Sequence, residues 1–176
     1  KCVEKNKGLW TDGKVPHRAI PLSPSDAAFL LLPVTDDDFQ DAKDLEFPQL
    51  LGQIQFPTVY TKMEMRFAIS LISRQRSRWS RRSFKILVKA LEYGYTTRHI
   101  GLLYSCGLDL HGVNKLYAYA DSNFAAPRSQ GCRITMMNGC AISMTSKRHT
   151  TTDTSTCEAE ATEFFLCTRD VERLRN

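Results

Sequence analysis

Along residues 116 to 121 the chain alternates: Tyr117 and Tyr119 fall on one face, and the run ends at Asp121. This predicts a strand from Leu116 to Ala120. Two further β-rich runs, Gly131 to Met137 and Gly139 to Ser146, are joined at Asn138-Gly139, the dipeptide of tight hairpin turns. A Ser/Thr-rich link follows, and then a helical pattern that opens near Thr156. Its first two turns carry Glu158, Glu160 and Glu163, where the helix dipole favours carboxylates.

Upstream the period changes from two to nearly four. Val59, Met63, Phe67 and Leu71 form one apolar stripe, read as core, and Phe84, Leu87, Val88 and Leu91 form a second that ends near Tyr93-Gly94. Residues 100 to 104 and 108 to 110 are short strand candidates. Residues 1–47 have no sustained period. Pro16, Pro21, Pro24 and Pro33 punctuate them, and Asp36, Asp37, Asp38, Asp41, Asp44 and Glu46 form an acidic run. That run lacks the glycine of a calcium loop and reads as a solvated tether. The expected architecture is α/β: an extended acidic tether (1–47), a basic helical connection (48–111), and a unit of three antiparallel strands and a helix (112–176).

Composition sharpens this picture at three points. The chain has 176 residues and 42% hydrophobic content, enough for one or two packed domains. No apolar run is long enough to span a membrane, and the N-terminus does not read as a signal peptide, so no membrane partner is expected. The six cysteines have no regular spacing, which points to a reduced, intracellular protein. Cys132, Cys140, His149 and Cys157 match no common zinc spacing. The net charge of +5 is unevenly placed: residues 1–57 carry −3, residues 58–115 carry +8, and the remainder is neutral.

Arg74, Arg76, Arg78, Arg81, Arg82, Lys85 and Lys89 crowd into 16 residues around Trp79. With Lys62 and Arg66 they form a candidate nucleic-acid footprint, in which the cations meet phosphates and Trp79 stacks on a base. The alternative is a solvated helix connection.

Asp121 at a strand end and a carboxylate among Glu158, Glu160 and Glu163 at the helix start are candidate catalytic groups, because carboxylates that converge from a sheet and a helix packed on it hold divalent metal for phosphoryl transfer. Four stretches support that assignment together: Asp121-Ser122-Asn123-Phe124-Ala125, Ser129-Gln130-Gly131, Ala141-Ile142-Ser143-Met144-Thr145-Ser146-Lys147, and Ser155-Thr156-Cys157-Glu158-Ala159-Glu160. In order and spacing the segment resembles the RNase H domain of copia-type LTR retrotransposon polyproteins, which carries D-A-D-W-A, an S-G turn, A-I-S-W-x-S-K and S-S-T-E-A-E. Residues 47 to 56 and 58 to 74 resemble the same family's connection after the polymerase, with Met63 in place of a family proline. The resemblance covers about residues 48–176. The departures are Asn123 and Phe124, where the family has Asp and Trp.

The resemblance implies a two-metal ribonuclease acting on RNA in RNA–DNA hybrids, with Mg²⁺ as cofactor and with Asp121 and Glu160 as the first two metal ligands. The family's third and fourth ligands lie beyond the last residue here. Asp170 stands ten residues past Glu160, roughly 15 Å along a helix, and does not replace them. Glu163 is assigned to a solvated or capping face. The implied picture is a half site, with no stably held metal and no activity of its own. No polymerase Y-x-D-D motif is present. An open sheet edge would call for a protein partner. The alternative to a Pol-derived, nucleic-acid-binding fragment is a domesticated scaffold subunit of a ribonucleoprotein such as a ribosome.

Overall fold

A computed structural model describes residues 6–10, 12, 14–104, 114–125 and 128–175. Among them are six α-helices and one three-stranded antiparallel sheet. The chain divides into two compact units, residues 1–101 and 102–176.

The first unit is helical. Its helices are α1 (Pro24–Leu30), α2 (Asp36–Asp41), α3 (Phe47–Tyr60), α4 (Arg66–Ser73) and α5 (Arg81–Thr96). Local signals fix most starts. The Ser23 and Thr35 hydroxyls accept from the backbone N–H groups of Asp26 and Asp38, and Ser80 and Ser83 form a reciprocal capping box. The core gathers Phe47, Leu51 and Ile54 of α3, Ile69 and Ile72 of α4, and Ile86, Leu87 and Leu91 of α5, with Met65 between α3 and α4.

Residues 14–47 are not an extended tether. Leu30 lies in the core, as does Trp10 further upstream, whose indole N–H donates to Glu92 of α5 at 2.9 Å. Sequence pattern does not reveal this packing, because the apolar residues of the segment are too few to show a period and are buried only by helices distant in sequence.

The stripe Val59, Met63, Phe67 and Leu71 does not exist as one face either. α3 ends at Tyr60, a single 3₁₀ turn spans Met63–Met65, and α4 starts afresh, so Phe67 points to solvent while Ala68, Ile69, Leu71 and Ile72 are buried. The break resets the helical phase that the spacing of four presupposes. α5 runs two residues past Gly94 to Thr96 and is capped by Thr97, whose hydroxyl donates to the Tyr93 carbonyl.

The second unit consists of β1 (Leu116–Asn123), β2 (Gln130–Met137), β3 (Cys140–Arg148) and α6 (Thr156–Arg175), with strand order β1-β2-β3. Asn138 and Gly139 both have positive φ (51° and 82°), as the two-residue hairpin turn requires. Ser155 caps α6 by accepting from the Glu158 N–H. Residues 100 to 104 form no strand; the Tyr104 hydroxyl donates to the Ala141 carbonyl. The expected strand at 108 to 110 lies outside the described residues. The boundary between units falls after Gly101 rather than after residue 111, and the α/β expectation holds as a mixed helix and antiparallel-sheet fold.

Candidate functional site

The first candidate pair is Asp121 and Glu160. In an antiparallel ladder, residues directly opposite each other share a face. Gly131 and Arg133 face α6: Arg133 bonds to Glu163 of that helix, and the space where Gly131 lacks a side chain is filled by the Glu163 carboxylate. Their partners on β1 are Ser122 and Ala120, so these small residues lie under the helix. Asp121 pairs with Cys132 and is turned to the opposite face, exposed beside Tyr117 and Tyr119. Glu160 lies exposed on α6, between the buried Ala159 and Glu163. The two carboxylates therefore do not converge on one face. Among the described residues, no group of three or more His, Cys, Asp or Glu side chains is placed to hold a metal ion. This donor set does not fit the two-metal chemistry that the resemblance implies.

What α6 does insert into its sheet is Glu163. It is 2% exposed, neither solvated nor a cap. One carboxylate oxygen accepts from Arg133 Nη1 at 2.9 Å, and the other lies 3.2 Å from His149 Nε2. His149 Nδ1 is 2.8 Å from Asp153, and Arg133 Nε donates to Asp170. The result is a hydrogen-bonded chain of largely buried side chains, Asp153–His149–Glu163–Arg133–Asp170, that ties the end of β3, the following link, β2 and α6 together. Burial alone would lower the Arg133 pKa, but its bonds to Asp170 and Glu163 outweigh this and raise it. The nearby Ser129, followed by the His149 ring at 2.8 Å, holds the Asp153 carboxyl below its ordinary value. Burial, reinforced by the nearby Glu163 and Asp121 charges, pushes the Cys132 thiol up.

Glu158 is the residue that caps. Its carboxylate accepts from the Thr154 N–H and hydroxyl, both at 2.6 Å, and these bonds hold its pKa below the usual carboxylate value. The three glutamates of the helix start thus have three fates: cap, surface and core. The sequence signal for the core role was Arg133, the one charge of its strand, opposite a helix pattern rich in acids.

The basic footprint is also rearranged. Lys62 is buried and donates to the Thr97 and Ile100 carbonyls, so it neutralises the C-terminal end of α5. The Trp79 ring stacks on Phe47 (5.7 Å, 5° between planes) and meets Phe39 edge-on, while its N–H donates to the Ala42 carbonyl. Trp79 is a core anchor and not a free stacking platform.

Arg78 pairs with Asp36, Arg81 with Asp41 and Asp44, and Lys89 with Asp26. Arg82 lies over the Phe29 ring at 4.1 Å. Arg66 is half-buried, and burial lowers its pKa. Arg74, Arg76 and Lys85 are exposed. Sequence reasoning found the cations but missed that three of them, Arg78, Arg81 and Lys89, pair with acids of the segment upstream.

No helix among the described residues is long and apolar enough to cross a membrane. Compared with family models, with characterised proteins and with solved structures, the chain finds no match.

Proposed function

We propose that this chain is a retroelement Pol-derived, RNase H-like protein that does not cleave, and that it binds RNA or an RNA–DNA hybrid through the basic face around α5. The observation that carries this reading is charge placement. Residues 74–89 hold seven cations and no acid, and Arg76, Arg78, Arg81, Arg82 and Lys85 are all exposed there. Such a surface meets phosphates by charge rather than base identity, so binding is insensitive to sequence and weakens steeply with salt. The RNase H-like part rests on the four motif stretches. Asp121 and Glu160 are relics of metal ligands in this reading, and no catalytic step is assigned to them.

A second reading, a scaffold subunit in a ribonucleoprotein, is favoured by one feature of the second unit. β1 is an edge strand whose outer side is unpaired among the described residues, and it presents Tyr117 and Tyr119 to solvent. An open edge of this kind accepts a strand from a protein partner.

The test uses a labelled RNA–DNA hybrid of random sequence, titrated with the protein at several salt concentrations in the presence of Mg²⁺. Binding without cleavage, weakened by replacing Arg76 and Lys85 with Ala, is the expected result. Absence of binding at low salt overturns the nucleic-acid reading. Cleavage that Asp121→Asn abolishes overturns the non-catalytic one.

A further inference from the structure

Three arginines of the proposed binding face, Arg78, Arg81 and Arg82, already have partners, and those partners come from one stretch of chain. Residues 24–46 carry seven acids and one base, a net −6 against the +7 of residues 74–89. The stretch lies along the basic side of α5 and the turn before it. Asp36 of α2 takes Arg78, Asp41 takes Arg81 Nε at 2.7 Å, Asp44 reaches the same guanidinium at 3.4 Å, and Asp26 of α1 takes Lys89 at 2.9 Å. Phe29 covers Arg82. Apolar anchors hold the stretch in place: Leu30 is in the core, and the Gln75 amide donates to the Leu30 carbonyl at 3.3 Å.

The pairs themselves are open to water. Asp36, Asp41 and Asp44 expose 87%, 66% and 65% of their side chains, and Arg78 and Arg81 about half of theirs. Pairs this exposed hold weakly and exchange readily with other anions. A guanidinium gives up a carboxylate for a phosphate with no change of geometry, since its planar fork fits both.

We propose that residues 36–44 act as a built-in phosphate mimic, an autoinhibitory contact that occupies Arg78 and Arg81 and that a polyanion must displace. The proposal rests on the nucleic-acid reading above. It adds that affinity is set by competition within the chain, so the two arginines contribute only when the acids let go. Asp26 and Lys89, which are less exposed, stay paired and keep the segment tethered while α2 is displaced.

The experiment compares wild type with Asp36→Asn/Asp41→Asn/Asp44→Asn by anisotropy of a short labelled RNA–DNA hybrid over a salt titration. The triple variant is expected to bind roughly tenfold more tightly at low salt, with a salt slope steeper by about 0.9 for each arginine released. Two single variants separate masking from bulk charge. Asp41→Asn and Asp37→Asn each remove one negative charge from α2, but only Asp41 belongs to these pairs, so only Asp41→Asn is expected to steepen the slope. Equal effects of the two overturn the masking. So does a triple variant that binds with the affinity and slope of wild type. If neither wild type nor the triple variant binds, the nucleic-acid reading itself fails.

Discussion

In the first unit Arg81 meets Asp41 and Asp44 with about half of its side chain open to solvent; in the second, Arg133 meets Glu163 and Asp170 with 14% exposed. The chemistry is the same, an arginine from one element held by two carboxylates from another. The surroundings differ, and so do the consequences. Water screens the exposed pairs, so each contributes little and is free to change partner. In the interior a charge that loses its partner has no solvent to replace it, so removing one member is costly even where the intact pair adds little net stability. The exposed set suits a surface that must open to a ligand. The buried set fixes where α6 lies on its sheet.

The sharpest way to break this comparison is Glu163→Ala. It leaves Arg133 and His149 facing an empty, buried position, and it should cost the second unit about 3 kcal/mol or more. Hydrogen exchange of the β2 and β3 amides reads this unit directly; protection that barely changes would show that the buried network is no more essential than the surface pairs.

Gly131→Ala probes the same position from below. A Cβ there would stand 1.9 Å from a Glu163 carboxylate oxygen and 2.6 Å from His149 Nε2, so the network must move. Overpacking of this kind costs about 1–3 kcal/mol. The two substitutions should be strongly non-additive, because Glu163→Ala removes the nearer obstacle.

A smaller effect follows from Asp153. Its folded pKa is depressed, first by Ser129 and then by His149. The stability it contributes is therefore complete above the ordinary carboxylate pKa and is lost as pH falls through the depressed folded value. Asp153→Asn should flatten that acid limb in a urea-unfolding series below neutrality. An unchanged limb would place the acid sensitivity elsewhere.

The smallest effect is expected in the first unit. Asp36→Asn/Asp41→Asn/Asp44→Asn should leave the unfolding midpoint seen by tryptophan fluorescence where it is, since Trp10 and Trp79 both report that unit. A clear drop would mean that the acidic segment is held by its ion pairs rather than by Leu30 and its neighbours.

Much of the second unit is legible in sequence order. The alternation before Asp121, Asn138-Gly139 and the Ser155 start are local signals, and the strands and helix end within a few residues of where these place them. Local geometry alone determines them: a period of two, a turn that needs two positive φ angles, and a hydroxyl that caps a helix. The charged residues of the candidate sites were legible as types but not as roles.

Glu158, Glu160 and Glu163 look alike in a helix start, yet one caps, one is exposed and one is buried. That division depends on which face of α6 meets β2, and on Gly131 leaving room for a carboxylate. Asp121 lies inside β1, which runs on to Asn123, rather than at its end, and the face it takes follows from the pairing register with Cys132.

In the first unit, Trp79 and the acidic run each carry a local reading that fails, because their partners are about 40 residues away. By itself the sequence determined the strands, turn and helix of the second unit and where positive charge concentrates. Only the tertiary structure decided which charges meet, and whether in water or out of it, because charge pairing acts through space and its strength is set by burial rather than by position along the chain.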